Sequence, residues 1–216
     1  MARPPLREQQ VVRSAQRVAV ELRAGRLELS GQSRSSIRLR TTTRKRWYDR
    51  PLTVHEDGGT LRVAGPRSHA RVELGLPPAT GVSARLRTGD VTLWGASGAL
   101  ELVTGRGLIA GRDLGADGPS GKGAGALPAG SAATSIVARV EDGTVRIHLR
   151  AVPTAVDIVA GGHVALVLPP GTYAVQTEAG AGRPVVEVEQ GDGPLLRVVS
   201  RAGTVRVVSD AGALPI

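Results

Sequence analysis

The chain has 216 residues, which fits one large all-β domain or two small ones, and its 41% hydrophobic residues suffice for a core. It contains no cysteine and no phenylalanine, which excludes disulfides, thiolate metal sites and cysteine nucleophiles and leaves a mainly aliphatic core. Residues 1–50 carry twelve arginines and Lys45 against four acidic residues, which accounts for the whole net charge of +9.

The N-terminal segment has neither a signal-like apolar stretch nor a membrane-spanning one. Residues 1–10 carry Pro4, Pro5 and a polar run, so we predict an N-terminal tail over residues 1–16. The longest apolar runs are far shorter than the roughly 20 residues that cross a bilayer. We therefore expect a soluble, cytoplasmic protein, with a peripheral position at a membrane surface as the alternative.

Short runs of alternating apolar residues, separated by glycine turns, fill most of the chain. In the first run, Val18, Val20 and Leu22 share one face, which is the period of a β-strand. Equivalent runs follow at 27–29, 37–39, 52–54, 61–63, 72–76, 82–86, 145–149, 156–158, 164–168, 186–188, 196–198 and 205–207. None has the 3.6-residue period that would predict a helix.

A short repeat occupies residues 86–111. Four residues recur sixteen positions later, namely Leu86, Thr88, Gly89 and Gly95 as Leu102, Thr104, Gly105 and Gly111. Each copy is a strand, a glycine turn and a second strand, a unit that cannot bury its own apolar side. Stacking successive copies would bury that side, so the repeat predicts a stack of such rungs.

A second, more widely spaced sequence repeat suggests that the chain consists of two related halves. Leu76-Pro77-Pro78-Ala79-Thr80 returns 92 residues later as Leu168-Pro169-Pro170-Gly171-Thr172. We predict a single domain over 17–210, with halves at about 17–110 and 134–210 joined by the Gly/Ala-rich segment 111–133, and a C-terminal tail at 211–216. The predicted class is all-β, a β-solenoid of short Gly-turn rungs, with a β-sandwich as the alternative.

The repeated motifs resemble those of the bacterial DUF4097 family of adhesin-like β-helix proteins over roughly residues 17–208. The similar motifs are Thr88-Gly89-Asp90-Val91, Asp142-Gly143-Thr144-Val145-Arg146-Ile147, Leu168-Pro169-Pro170-Gly171-Thr172-Tyr173 and Ala202-Gly203-Thr204-Val205. The resemblance implies a β-helix scaffold without catalytic residues. This sequence departs from the family at degenerate turns such as 160–163 and 178–182, and it lacks the membrane anchor of many members, which weakens a cell-surface role.

No motif points to catalysis or to a bound cofactor. The segment 116–123 approaches a phosphate-binding loop, but Gly123 stands where serine or threonine would hold Mg²⁺. The four histidines, at 55, 69, 148 and 163, lack metal-ligand spacing, and the calcium-binding nonapeptide repeat and the nucleophile elbow are absent. We expect a protein that is not an enzyme and that holds no metal or cofactor.

The Arg-rich segment 34–50 is the part of the sequence that implies a partner. Its candidate binding residues are Arg34, Arg38, Arg40, Arg44, Lys45, Arg46, Trp47 and Arg50. Such cations neutralise phosphates, while a tryptophan stacks on a base or lies at a lipid headgroup. The other interpretation is a solvated strand face with Trp47 packed on the end of the solenoid, and the sequence does not separate nucleic acid from an anionic membrane.

The function predicted from these features is that of a non-catalytic, adhesin-like scaffold. An open solenoid ends in unpaired strand edges, which are capped or pair with another chain, so we expect protein–protein contact or self-association. The alternative is a binder of an anionic partner, nucleic acid or membrane surface, through segment 34–50. No small-molecule substrate is expected.

Overall fold

A computed structural model describes residues 6–11, 15–32, 35–43, 52–65, 69–77, 79–115 and 134–210. Within these ranges the chain forms fifteen β-strands that belong to one hydrogen-bonded sheet with mixed strand directions. The same residues contain no helix able to cross a membrane. The predicted all-β class is confirmed.

The fifteen strands cover most of the described residues. Their bounds are β1 Leu6–Val11, β2 Arg17–Gly31, β3 Ile37–Thr43, β4 Thr53–Asp57, β5 Thr60–Ala64, β6 His69–Leu76, β7 Gly81–Trp94, β8 Ala99–Leu114, β9 Ser135–Leu149, β10 Ala155–Ala160, β11 Val164–Leu168, β12 Thr172–Ala179, β13 Val185–Glu187, β14 Glu189–Ser200 and β15 Val205–Ser209.

Parallel pairing dominates the middle of the sheet. The long strands β2, β7, β8 and β9 pair side by side in that order. The second half of the chain uses shorter strands in pairs, so that β10 and β11 both pair with β9. Consecutive layers therefore run in the same direction along one extended sheet.

At both ends of the sheet, the spatial order of the strands differs from their order in the sequence. Strand β2 lies between β5 and β6 on one side and β7 on the other. Strands β14 and β15 lie between β10 and β11 on one side and β12 and β13 on the other. The prediction that successive copies stack in sequence order holds in the middle and is wrong at the two ends.

The β2 end of the sheet carries antiparallel strands. Strand β3 pairs antiparallel with β6, β1 with β3, and β4 with β5. Strand β1 lies inside the segment predicted as an N-terminal tail, so residues 6–11 belong to the sheet. The predicted joining segment is described as far as residue 115, and residues 116–133 lie outside the description.

Each long strand turns a corner at a glycine, and this corner creates the core. In β9 the buried residues are Ile136, Ala138 and Val140 before Gly143 and Val145, Ile147 and Leu149 after it. The alternation thus shifts by one residue across the corner, so both halves direct apolar side chains toward the same interior. The buried aliphatic side chains of all the layers form one continuous cluster.

The corner glycines of neighbouring strands lie directly against each other. Gly25, Gly89, Gly107 and Gly143 have φ values of 141°, 135°, 137° and 153°, a region that side-chain-bearing residues rarely adopt. A Cβ added at Gly89 would overlap the carbonyl oxygen of Gly25, and one added at Gly107 would overlap that of Gly89. The stack therefore requires glycine here for both conformation and space.

The spacing of the short repeat differs from the sequence-based prediction. Leu86 pairs with Thr104, eighteen residues later, and not with Leu102 at sixteen. Because strand side chains alternate with a period of two, a shift of two residues leaves every side chain on its original face. The apolar pattern therefore fits both registers, and the strands pair at an interval of eighteen residues although the motif recurs at sixteen.

Candidate functional site

Two residues of the predicted basic site are described, and both lie on β3. Arg38 and Arg40 are exposed and alternate with Ile37 and Leu39, which are buried in the core. The strand thus presents its two arginines on the outer face of the sheet. The remaining predicted site residues lie outside the described residues, namely Arg34, Arg44, Lys45, Arg46, Trp47 and Arg50.

The arginines of β3 face a network of ion pairs on β6 and β2. Arg40 Nη1 lies 3.8 Å from Glu73 Oε2, and Arg71 Nε lies 3.0 Å from Glu73 Oε1. Arg71 Nη2 donates a 2.9 Å hydrogen bond to Glu28 Oε2, and this bond raises the pKa of Arg71 above its ordinary value. Arg26 Nε lies 3.3 Å from Glu28 Oε1. These pairs hold both carboxylates in place across neighbouring strands.

A cleft of about 310 Å³ opens beside this network on the outer face. We call it the outer cleft and define it by Glu28, Gln32, Arg38, Arg40, Glu73 and Trp94, with a floor at Ser30 and Gly75. The floor is low because Gly75 has no side chain and Ser30 has a small one. Register places Gly75 opposite Arg38 and Ser30 opposite both Gly75 and Trp94.

The outer cleft carries equal numbers of positive and negative side chains. Arg38 and Arg40 line it together with Glu28 and Glu73, so the charges of the lining side chains balance, and Arg26 and Arg71 pair with the same two carboxylates from outside the lining. An anion that reaches Arg40 therefore also meets the carboxylate of Glu73. The described part of segment 34–50 therefore lies beside carboxylates, and its binding of an anionic partner stays a prediction.

Sequence reasoning missed Trp94 as a candidate functional residue. Its neighbour Leu93 is fully buried, whereas the side chain of Trp94 is 40% exposed. An aromatic residue at an outward-facing position of a strand whose inward-facing residues are aliphatic can be recognised from the sequence as a candidate binding residue. The two carboxylates of the cleft could not be predicted from the sequence, because Glu28 and Glu73 come together only through the pairing of β2 with β6.

A second candidate site is the end of the sheet formed by β12 and β13, here called the β12/β13 end. Among the described residues, β12 pairs only with β14 and β13 only with β15. Behind them, Val175, Ala179 and Val188 are partly buried and pack against the core. An edge with partly buried apolar side chains behind it is a surface to which another strand can add.

Tyr173 closes the core just inside this end. Its side chain is fully buried, and its hydroxyl donates a 2.8 Å hydrogen bond to the carbonyl oxygen of Pro169. Burial raises the pKa of Tyr173 above its usual 10.0, because the ionised phenolate would lose its hydration. The folded protein therefore favours the neutral phenol.

The raised pKa of Tyr173 predicts a loss of stability in alkali. In the unfolded chain tyrosine ionises near pH ~10, so the contribution is fully present below that pH and is lost as the pH rises through the higher folded pKa. Tyr173→Phe should cost about 1 kcal/mol at pH ~8 through the lost hydrogen bond. Urea unfolding of both proteins between pH ~8 and pH ~11.5 should show that the difference between their free energies of unfolding decreases as the pH rises. A gap that stays constant over that range would contradict the assignment.

The histidines do not assemble a metal site in the described part of the chain. His148 lies between two carboxylates, with Nδ1 3.9 Å from Asp113 and Nε2 3.5 Å from Asp210. His163 Nδ1 lies 2.9 Å from the hydroxyl of Thr204. No group of three His, Cys, Asp or Glu side chains among the described residues could hold a metal ion. His148 thus lies where the end of β15 approaches β8 and β9.

Comparison with known proteins gives a likeness in fold. No family model matches this chain, and no curated protein matches it. A "putative cell adhesion protein" of Clostridium sporogenes superposes with a TM-score of 0.52 at 12% identity, covering 96% of this chain and all of its own. A "putative adhesin" of Bacteroides fragilis has a TM-score of 0.41 at 10% identity, covering 94% and 97%.

A third solved chain has a different kind of name. It is a "putative lipid binding protein" of Parabacteroides distasonis, with a TM-score of 0.29 at 14% identity over 95% of this chain and 97% of its own. Of the three likenesses, the Clostridium sporogenes one has a TM-score above 0.5, and at 12% identity it shows a shared fold alone.

Proposed function

We propose that this protein is a non-catalytic β-solenoid scaffold that acts through protein–protein contact at the β12/β13 end, beginning with a second copy of itself. The observation that carries the proposal is that β12 and β13 are hydrogen-bonded on one side only among the described residues. The solenoid assignment is supported by the parallel stacking, by the glycine corners and by the single core between the two halves of each layer.

Addition of a strand at this end would both pair backbone groups and bury apolar side chains. A new strand would pair with the backbone groups of β12 that no described strand pairs, and it would cover the partly buried Val175 and Ala179. Because the driving contacts are backbone hydrogen bonds and apolar burial, they depend little on ionic strength. Assembly by this route should therefore persist at high salt.

The proposal predicts concentration-dependent assembly of the full chain. Size-exclusion chromatography with light scattering at low and high salt should show dimers or longer assemblies that grow with concentration in both buffers. Thr177→Lys places a charge at this edge in the inward phase that Val175 and Ala179 share, and it should reduce assembly at low salt at least tenfold while urea unfolding shows that the protein stays folded. The matched control Val137→Lys, on the outer face of the internal strand β9, should leave assembly unchanged.

A further variant separates two geometries of assembly. Thr53→Lys alters β4, which among the described strands pairs with β5 alone, at the opposite end of the sheet. It should block head-to-tail filaments and leave a symmetric β12-to-β12 dimer intact. A monomer at every concentration in both salts, or full assembly of the Thr177→Lys protein, would overturn the proposal.

A further inference from the structure

We propose that the outer cleft is a binding site for a neutral carbohydrate, with Trp94 as its apolar wall. This site is independent of the β12/β13 end, because it lies on the outer face of β3, β6, β2 and β7 at the other end of the sheet. The volume of about 310 Å³ lies in the range of small-ligand sites.

The dimensions of the outer cleft suit one or two sugar rings. Arg38 and Trp94 lie on strands β3 and β7, which are separated by three strand spacings, or about 14 Å. Between them, Gly75 and Ser30 leave a low floor. The side chain of Gln32 donates a 3.1 Å hydrogen bond from Nε2 to the Ser30 hydroxyl and borders this floor.

The polar groups of the cleft match hydroxyl groups better than any ion. A sugar hydroxyl both donates and accepts hydrogen bonds, so it needs both kinds of partner. Arg38 and Arg40 supply donors, and Glu28 and Glu73 supply acceptors. A phosphodiester has only acceptors and would give Glu28 and Glu73 no hydrogen-bond donor, whereas a cation would be repelled by the two arginines.

The acceptors of the site are held in position before a ligand arrives. Arg71 bridges Glu28 and Glu73 at 2.9 Å and 3.0 Å, which fixes both carboxylates beside the floor. Fixed polar groups lose little conformational entropy on binding. The indole of Trp94, 40% exposed, adds an apolar surface for the C–H face of a pyranose ring.

A peptide strand is a poorer fit to the same cleft. All four strands beneath it are paired on both sides, β3 with β1 and β6, β6 with β3 and β2, β2 with β6 and β7, and β7 with β2 and β8. The cleft therefore offers no free backbone edge for strand addition, which is the mode by which sheets commonly bind extended peptides. Binding here must use side chains.

The test is calorimetric titration of the full chain with neutral tetrasaccharides of glucose, mannose and N-acetylglucosamine, and with a heparin oligosaccharide. We expect at least one neutral tetrasaccharide to bind with an affinity that does not change between low and high salt. Trp94→Ala should weaken that binding at least tenfold, and Trp94→Phe should weaken it less because it keeps an aromatic surface.

Two further variants separate loss of the site from loss of the fold. Gly75→Val fills the floor, and the atoms nearest its Cβ would be those of the flexible amide of Gln32, which can move aside, so the strand should stay folded while binding is lost. Val152→Ala, at an exposed position outside the cleft, should bind as the unaltered protein does. Failure of every neutral sugar at millimolar concentration, unchanged binding by Trp94→Ala, or salt-sensitive binding of heparin alone would overturn the proposal.

Discussion

Gly89→Ala should lower the free energy of unfolding by about 3 to 5 kcal/mol, the combined cost of an unfavourable backbone conformation and of overpacking. Gly89 has a φ of 135°, and an added Cβ would overlap the carbonyl oxygen of Gly25 on the neighbouring strand. The oxygen belongs to a backbone that is itself held in the sheet, so it cannot move aside without breaking the β2–β7 pairing.

The matched control is Gly182→Ala. Gly182 also has a positive φ, of 71°, but nothing lies within 4 Å of its added Cβ. This variant should cost only about 1 kcal/mol, from conformation alone. Urea unfolding of the three proteins gives the comparison. A Gly89→Ala protein within 1 kcal/mol of the Gly182→Ala protein would show that the corner glycines are not in close contact.

The alternation of apolar residues made the strands and the inner faces predictable. Val18, Val20 and Leu22 were assigned to one face from sequence, and all three are buried in β2. The prediction works because a half-buried strand has a period of two, and each glycine marks where that phase changes. Glycine corners such as Gly143 then account for the shift of phase within a single strand.

The register and the order of the layers could not be predicted in the same way. Pairing Leu86 with Thr104 or with Leu102 buries the same faces, so the choice rests on corner contacts between glycines that the apolar pattern does not record. The insertion of β2 between β6 and β7 depends on long-range pairing. The outer cleft exists only because of that insertion, which brings Gly75, Ser30 and Trp94 into one row.

Leu102→Ala should lower the free energy of unfolding by about 3 to 5 kcal/mol, the upper part of the range for such substitutions. Leu102 is fully buried in β8, and its partners in the neighbouring strands are Ala84 and Ala138. A large side chain thus fills the space that two small ones leave. With alanine at all three positions, the fixed strand spacing prevents the cavity from closing.

An exchange of volume between strands tests this layer directly. Adding Ala138→Leu to the Leu102→Ala protein returns the lost volume to the same layer from β9 and should recover about half of the lost stability. Leu195→Ala, at an outward position that is 47% exposed, should change stability by no more than about 0.5 kcal/mol. Urea unfolding measures all four proteins. If Ala138→Leu recovers nothing, residues 102 and 138 do not share one space, and the β8–β9 register on which the stacked core depends is wrong.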